Sequence, residues 1–392
     1  MGNSPSYAKI ATVSWYREGG RAYGLKGYEE AAKRFDDLGT ARREDGKRLL
    51  EGRTVVITGC NQGIGFHAAE QCARLGAHVH MLVRTVAKGE EAAAEIRKAA
   101  PDAQVDVHGL DVSDFDAVNA FGSGAPVIFK APIDVLVNNA GCMPDQRTLT
   151  KQGHETIVAT TIGGTGLLTH HLLPLMAPNG RVINVSSGGQ YTVAPRVGDL
   201  DLPELSGKDY DGTLIYAYAK RWQVQLTKWM AEHVKEGGGH QYAGIGFYSM
   251  HPGWAKTAGV QNAMASFAEK QEKNGNPLRT AAQGADTITF LAAATEPMLR
   301  KAAQESAHHP WEDEAAAKED GKDEKDAARA RAATLPPPVA SGTFWCDRAV
   351  VPYDMAYGGT AWNPEERHVL ATAAARFCGR DEPFLAMPTR ET

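Results

Sequence analysis

The sequence predicts an α/β fold in which helices cover both faces of a mostly parallel sheet of seven strands. Short β-branched runs alternate with helical patterns from Arg53 onward, and turn residues separate them. Parallel neighbours in a sheet need long crossover connections, which the helical stretches supply. No internal repeat divides the series, so we expect a single doubly wound domain.

The strands are recognised by their β-branched content, and the helices by apolar residues that recur at helical spacing. We expect strands at Thr54–Thr58, His78–Val83, Gln104–Leu110, Ile133–Asn138, Arg181–Ser186, Gly244–Met250 and Gly342–Cys346. We expect helices at Gly63–Leu75, Lys88–Ala99, Asp114–Phe121, Gly153–Met176, Leu214–Glu236 and Thr280–Ala294. One helix therefore separates each strand from the next.

Two segments fall outside this alternation. Residues 1–50 form an N-terminal arm with apolar and aromatic side chains, among them Trp15 and Tyr23. Residues 301–338 are rich in Ala, Glu, Asp and Lys and close with three prolines. Because so few apolar side chains cannot offset the entropy lost on ordering, we expect a mobile or weakly helical surface insertion there. The α/β domain is then expected to cover residues 51–300 and 339–392.

The composition excludes several classes of protein. The net charge of -5 gives no electrostatic case for nucleic-acid binding, and no apolar run approaches the roughly 20 residues that span a bilayer. The five cysteines are dispersed without a C-x-x-C pair, which favours free thiols in a reducing compartment. No Cys/His cluster has the spacing of zinc ligands, and the adjacent pairs His170–His171 and His308–His309 diverge, so we predict no metal site.

A glycine-rich turn joins the first predicted strand to the first predicted helix. Gly59, Gly63 and Gly65 are spaced G-x-x-x-G-x-G, with Asn61 and Ile64 between them. A helix N-terminus presents unpaired N–H groups and a positive dipole end, and glycine lets a phosphate approach the backbone closely. The motif predicts a dinucleotide pyrophosphate site and a Rossmann-type fold, with an ordinary strand–helix turn as the alternative.

The end of the second strand predicts which nicotinamide dinucleotide is bound. A carboxylate there would bond the adenosine ribose, whereas an arginine attracts a 2′-phosphate. Arg84 ends the strand, Lys88 follows one helical turn later, and no acid occurs before Glu90. We therefore predict NADP(H) rather than NAD(H); the alternative is that Arg84 is a solvated charge at a strand end.

The following strand ends supply further candidates for cofactor binding. Asp111 and Val112 follow the third strand, where Asp111 is placed to meet the adenine amino group. Asn139, Ala140 and Gly141 end the fourth strand beside the predicted cofactor.

Tyr216 and Lys220 carry the candidate chemistry. Their spacing puts a phenol and an ammonium one helical turn apart on the same face, as proton transfer beside a hydride carrier requires. Ser187 ends a strand between this pair and the glycine-rich turn. In this order the motifs predict a nucleotide-dependent carbonyl or alcohol oxidoreductase. The alternative is a packed aromatic ring, a surface lysine and a strand-end cap.

With these residues in view, the chain resembles the short-chain dehydrogenase/reductases. The matching motifs are Thr58–Gly65, Asn138–Gly141, Val185–Ser187, Tyr216–Lys220 and Pro252–Gly253. The resemblance implies a general acid/base at Tyr216 and an activating lysine at Lys220 that lowers the tyrosine pKa and holds the nicotinamide ribose. It implies that Ser187 orients the substrate oxygen. It also implies contacts to the nicotinamide carboxamide from Pro252, Gly253 and Thr257, and Trp254 is a further candidate for cofactor binding.

One position departs from the family pattern. Members usually carry Asn-x-Leu-Gly in the fourth helix, where the asparagine helps a water molecule to relay protons; Thr160 stands at that position here. A hydroxyl can hold water but lacks the separate donor and acceptor of an amide. Two hypotheses therefore stay open: an enzyme, or a nucleotide-binding accessory or scaffold subunit of a larger assembly with weak or no turnover.

The long interval between Ser187 and Tyr216 is also found in retinol-dehydrogenase-like members of the family. It implies an apolar ketone, aldehyde, steroid or retinoid as the substrate. Four apolar side chains are candidates for a substrate pocket or for the core: Met143, Tyr191, Met250 and Trp254. Many relatives form dimers or tetramers, so a homo-oligomer is a further expectation.

The N-terminus raises the question of compartment. Residues 1–6 fit the N-myristoylation pattern, which would give a marginal anchor and a peripheral membrane contact with help from the arm's aromatic residues. Acids are scarce before Glu29, as in a mitochondrial or other organellar transit peptide. An ordinary polar start of a cytoplasmic protein is the alternative.

Overall fold

A computed structural model describes residues 5–236, 240–257, 259–260, 265–306, 338–353 and 362–384. Its centre is one eight-stranded sheet in the order β3-β2-β1-β4-β5-β6-β7-β8. The strands are β1 Thr54–Thr58, β2 His78–Val83, β3 Gln104–Gly109, β4 Ile133–Asn138, β5 Met176–Val185, β6 Gly246–Met250, β7 Phe344–Cys346 and β8 Ala349–Val351. Every neighbouring pair is parallel except β7 and β8. The predicted doubly wound, mostly parallel sheet is confirmed, with β8 as an added edge strand.

The helices lie largely where the apolar spacing predicts them. Those of the α/β domain are α3 Gly63–Arg74, α4 Val86–Ala99, α5 Phe115–Ile128, α6 Thr156–Val158, α7 Thr165–Leu172, α8 Gly212–Glu236, α9 Ala265–Lys273, α10 Ala281–Ala293, α11 Glu296–Glu305 and α12 Pro364–Phe377. The predicted single helix Gly153–Met176 is wrong in extent. A π-helical turn at Ala159–Gly164 divides it, Pro174 lies in a short 3₁₀ turn that ends it, and β5 begins at Met176.

The centre of the sheet is buried on both faces, which is why the three middle residues of β1 are all apolar instead of alternating with polar ones. Val56 and Leu82 face a core made with α5, α7, α8 and α12. Val55 and Ile57 face the opposite core, made with α3, α4 and α10. The carboxyl ends of the central parallel strands therefore meet at one edge between two helical layers, where ligands bind in sheets of this kind.

The N-terminal arm forms two helices, α1 Pro5–Ala22 and α2 Leu25–Ala32. It contributes Trp15 and Tyr23 to a third apolar cluster, together with Trp254 from the loop after β6. The buried Arg279 holds this junction, because it donates to the carbonyl oxygen of Ala22 (3.0 Å) and forms an ion pair with Asp347. The arm is thereby fixed to the edge of the sheet that carries the candidate site.

Two regions bear on the remaining expectations. The predicted charged insertion at residues 301–338 falls mostly outside the described part of the chain, since only its start in α11, Ser306 and residue 338 are described. The first four residues lie outside it too, so the myristoylation hypothesis stays a prediction. Over the residues whose structure is described, none of the helices has the length and apolar character needed to cross a bilayer.

Candidate active site

The glycine-rich turn follows β1 and opens α3. Gly59 and Gly63 have φ values of 62° and 61°, a left-handed conformation that favours glycine. A Cβ on Gly59 would lie 2.9 Å from the Cα of Ala140, and a Cβ on Gly65 would collide with the Asn139 side chain. The N-cap Gln62 makes no side-chain capping bond. The first N–H groups of α3 are therefore not capped by a side chain and can bind an anion.

Asn139 braces this turn from the end of β4. Its amide donates to the carbonyl oxygens of Thr58 (2.9 Å) and Gly59 (3.0 Å). The backbone N–H groups of Asn139 and Ala140 both donate to the Thr58 hydroxyl at 3.0 Å. Asn139 and Ala140 thus hold the glycine-rich turn in its conformation. Thr58 is a supporting residue to which the sequence analysis gave no role.

Arg84 lies exposed at the end of β2. Within the described part of the chain it forms no hydrogen bond or ion pair, and the nearest following acid, Glu90, faces Arg97 at 3.9 Å. Its charge acts on the thiol of Cys142, so Arg84 lies within electrostatic range of the crevice at the strand ends. An unpaired cation at this position is suited to a phosphate ligand.

The loop after β3 is built around Asp111. One of its carboxylate oxygens accepts hydrogen bonds from the backbone N–H (2.9 Å) and the hydroxyl (2.7 Å) of Ser113. The next residue, Val112, is buried, and its carbonyl oxygen lies where a Cβ on Gly164 would be. Gly164 therefore lets the π-helical turn approach this loop closely.

Ser187, Tyr216 and Lys220 converge at the end of β5 and the first turns of α8. The ammonium of Lys220 lies 5.5 Å from the centre of the Tyr216 ring and donates to the carbonyl oxygen of Val185 at 2.8 Å. It also donates to the side chain of Gln223 at 3.3 Å. The hydroxyl of Ser187 accepts from the backbone N–H of Gly189 at 3.1 Å and lies near enough to the Tyr216 phenol to act on its pKa. The three residues that the sequence pattern selected are thus brought together.

Burial sets the acid–base properties of this group. It raises the pKa of Tyr216 to about 12, although the Ser187 hydroxyl acts in the opposite direction. It lowers the pKa of Lys220 to about 8. In the protein alone Tyr216 is therefore a neutral phenol at neutral pH, ready to donate a proton. The lowered tyrosine pKa implied by the family resemblance does not describe this state.

Thr160 lies in the π-helical turn beside the site. Its hydroxyl donates to the carbonyl oxygen of Thr156 at 2.8 Å and lies 3.7 Å from the sulfur of Cys142. Thr161 was not singled out from the sequence, yet it is fully buried and its hydroxyl has no partner among the residues described. Thr161–Gly164 also ends in glycine, but it has Gly163 at the leucine position of Asn-x-Leu-Gly, where Thr160–Gly163 has Ile162.

The loop after β6 lies over the glycine-rich turn. A methyl carbon of Thr257 lies 4.0 Å from the place of a Cβ on Gly63. Gly253 has a φ of 68°, and a Cβ there would collide with the guanidinium of Arg279. Trp254 is held by the arm, because its backbone N–H donates to the carbonyl oxygen of Tyr23 at 2.8 Å.

Three of the predicted site residues lie in packed regions, and one residue near Tyr216 was not predicted. Ile64 packs near Gly284, while Met250 and Tyr191 are buried and so belong to the core. Cys142 was missed as a site residue: a negative charge on its thiol would raise the pKa of both Tyr216 and Lys220. Its place directly after Asn139-Ala140-Gly141 was the available signal.

The residues present fit a nicotinamide dinucleotide. Uncapped N–H groups at α3 face the place of a pyrophosphate, Arg84 lies at the adenosine end, and Gly141 lies at the other end. The Lys220 nitrogen is 3.6 Å from where a Cβ on Gly141 would be, so the lysine lies directly beside this glycine. Glycine keeps the space open in which the resemblance puts the nicotinamide ribose.

Comparisons with known proteins agree with this reading. The short chain dehydrogenase family model matches residues 53–197. The chain is 37% identical over 295 residues to human (Homo sapiens) Dehydrogenase/reductase SDR family member 12, covering 74% of this chain and 86% of that protein. It is 34% identical over 258 residues to human Retinol dehydrogenase 12, covering 64% of this chain and 77% of that protein.

One solved structure shares the fold. The crystal structure of an uncharacterized protein from Mycobacterium Paratuberculosis has a TM-score of 0.57 and 23% identity, covering 85% of this chain and 96% of that chain. Fold and site together define an oxidoreductase that uses a nicotinamide cofactor. The chain belongs to the short-chain dehydrogenase/reductase family, as its motifs predict.

Proposed function

We propose that this protein interconverts a carbonyl and an alcohol on an apolar small molecule, with NADP(H) as the hydride carrier. The observation that carries the proposal is the convergence of the Ser187 hydroxyl, the Tyr216 phenol and the buried Lys220 ammonium at the end of β5. These groups can bind a substrate oxygen and exchange a proton with it.

The bound nicotinamide supplies or accepts hydride at the substrate carbon. In the reductive direction, Ser187 donates a hydrogen bond to the carbonyl oxygen, and the Tyr216 hydroxyl delivers its proton to that oxygen as negative charge develops. Lys220 then stabilises the phenolate by its positive charge. In the oxidative direction, the phenolate removes the alcohol proton and the same residues act in reverse. Burial of Lys220 strengthens its electrostatic effect on the phenolate, because a charge interacts more strongly where little water surrounds it.

Arg84 supports NADP(H) over NAD(H). It is an exposed cation beside the phosphate turn, and the described residues offer it no internal carboxylate partner. A 2′-phosphate would supply that partner through charge-assisted hydrogen bonds. Lys88 is exposed one turn further on and adds positive charge at the same end.

The arm supports an apolar substrate. Trp15 is buried, its ring packs edge-to-face on Trp254 at 5.5 Å, and its ring nitrogen lies 3.0 Å from the place of a Cβ on Gly188. Because Gly188 directly follows Ser187, we propose that Trp15 walls the substrate side of the site. The similarity to proteins named retinol dehydrogenases supports an apolar alcohol or aldehyde as well.

We further propose that residues 51–300 and 339–392 form the cofactor-binding domain, with residues 1–50 as a closing arm. The support is that β7 and β8 complete the same sheet as β1. Peripheral membrane contact through the N-terminus and a homo-oligomer stay predictions.

The second candidate function is a cofactor-binding accessory subunit with weak turnover. It is favoured by one observation: the Thr160 hydroxyl is engaged by Thr156, and its nearest other polar neighbour is a thiol. Among the described residues, no hydrogen bond joins the Lys220 ammonium to the Thr160 hydroxyl, as a proton relay between them would need.

A substrate panel separates the two functions. Purified protein is given NADPH or NADH with apolar aldehydes and ketones, including retinaldehyde, and reduced nicotinamide is followed by its absorbance. We expect steady oxidation, faster with NADPH. Tight binding of NADPH, measured by calorimetry, without turnover on any substrate would favour the accessory function.

A further inference from the structure

Three histidines and one aspartate lie together on one face of the sheet, away from the site described above. His78 and His80 are on β2, and Asp106 and His108 are on the edge strand β3. The register pairs His80 with Asp106 and Leu82 with His108. Because side chains two apart on a strand share a face, all four polar side chains point the same way.

The ligand atoms of this group are close enough to share one ion. The Nε2 of His78 lies 2.8 Å from an oxygen of Asp106, and the Nδ1 of His80 lies 3.9 Å from the same oxygen. Among the residues described, these three side chains form the one group of His, Cys, Asp or Glu whose ligand atoms all lie within 4.8 Å of one another. The Nε2 of His108 is 3.0 Å from the Nδ1 of His80 and can serve as a fourth ligand.

We propose that His78, His80 and Asp106, with His108 beside them, bind one divalent transition-metal ion of the zinc class. Imidazole nitrogen with a single carboxylate oxygen is a donor set that such ions prefer over Mg²⁺ or Ca²⁺. The site is partly built without the metal, since Phe129 packs edge-to-face on the His80 ring at 4.9 Å and fixes its orientation.

The site is open on one side. The side chain of His80 is only 6% exposed, whereas those of His78 and Asp106 are 35% and 52% exposed. A metal ion can therefore enter from solvent and complete its coordination with water. Binding would tie edge strand β3 to β2, and those two strands lead into Asp111 and Arg84 at their carboxyl ends.

Sequence reasoning missed this group because it looked for ligand spacing along the chain. His78 and Asp106 are separated by a helix, and only the parallel pairing of β2 with β3 brings them together. The signal was His-x-His on one predicted strand and Asp-x-His on the next. Of the two adjacent pairs, His170 and His171 do diverge: His171 bonds the side chain of Asn119, and His170 bonds the backbone of Phe384. The pair His308–His309 lies outside the described residues.

The test uses the full chain after treatment with a chelator. Bound zinc is measured by equilibrium dialysis with elemental analysis, and thermal unfolding is recorded with and without Zn²⁺, with Mg²⁺ as the comparison ion. We expect one Zn²⁺ per chain above any thiol-bound background, a higher Tm with Zn²⁺, and no rise with Mg²⁺. His78→Ala and Asp106→Asn change exposed side chains, so we expect folded variants that bind Zn²⁺ at least about tenfold more weakly.

His67→Ala is the matched control. His67 also pairs with a carboxylate, Glu70 at 3.2 Å, but on α3. This variant should bind Zn²⁺ like the wild type. Equal zinc content and equal Tm rise in the wild type, His78→Ala and Asp106→Asn would overturn the proposal. Co²⁺ binding gives a second measurement. Intense visible absorption that appears with the wild type and not with either variant would report a Co²⁺ ion bound by these nitrogen and oxygen ligands.

Discussion

The ammonium of Lys220 lies 5.5 Å from the centre of the Tyr216 ring, and the lysine is buried while the tyrosine is partly buried. Burial lowers the lysine pKa from 10.5 to about 8. Between these two values the unfolded chain binds more protons at this position than the folded chain does. The folded state is therefore stabilised at this residue as the pH rises from 8 towards 10.5.

This pKa shift predicts a pH-dependent stability difference between the wild type and Lys220→Met. From pH ~7 to ~9.5 the wild type should gain about 2 kcal/mol of unfolding free energy relative to the variant, which has no titrating group there. Chemical denaturation at several pH values measures this difference. Parallel stability curves for the two proteins would show that the lysine is not buried as described.

Arg84→Ser should change cofactor preference. Losing a charge-assisted contact to a phosphate costs about 1.5–3 kcal/mol, so kcat/KM for NADPH should fall about 10- to 100-fold and that for NADH should change little. Arg74→Ser is the control, since Arg74 is an exposed arginine of α3 that pairs with Glu70. If Arg84→Ser lowers kcat/KM for NADPH and for NADH equally, Arg84 does not contact the 2′-phosphate.

Gly65→Ala should distort the glycine-rich turn. The added methyl group would meet the side chain of Asn139 and the carbonyl oxygen of Gly59. We expect a loss of about 1–3 kcal/mol in unfolding free energy and a weaker affinity for NADPH. Gly124→Ala in α5 meets nothing within 4 Å and should instead stabilise the protein slightly. Denaturation and cofactor titration of both variants check this contrast.

Trp15→Ala should raise KM for apolar substrates about tenfold, with a smaller change in KM for NADPH, because it removes an aromatic wall of the substrate side. Val13→Ala is the control on the same helix, since Val13 is 68% exposed. Thermal unfolding of both variants shows whether the arm stays docked. Unchanged KM in a folded Trp15→Ala protein would remove the arm from the substrate site.

The parts of the fold that could be predicted share a cause. The central strands β1, β4 and β6 are buried almost throughout, so they are largely apolar runs that the sequence displays directly. The three-residue strand β8 carries less local signal, and α12 packs on α8 through contacts distant in sequence. The π-helical turn has two adjacent glycines, yet its geometry follows from the approach of Gly164 to Val112, a tertiary contact.

The site divides in the same way. The glycine turn and the spacing of Tyr216 and Lys220 are local patterns with local geometry, so their convergence with Ser187 could be expected. The support residue Thr58 could not, because its bonds join the end of β1 to Asn139 and Ala140, about 80 residues later in the sequence. Gln223 lies three residues after Lys220 on the same helix, so its bond to the lysine is local. The contact of Trp15 with the loop after β5 instead depends on how the arm docks.

The central claim is that the Tyr216 hydroxyl transfers the proton. Its most direct test compares NADPH-dependent reduction of an active apolar carbonyl by the wild type, Tyr216→Phe and Tyr218→Phe, with NADPH affinity measured for each. Tyr218 is the matched control, because it lies on the same helix and stacks on Trp222 instead. We expect Tyr216→Phe to lose at least about 100-fold in kcat while binding NADPH normally, and Tyr218→Phe to stay active. Full turnover by a folded Tyr216→Phe protein would contradict the account.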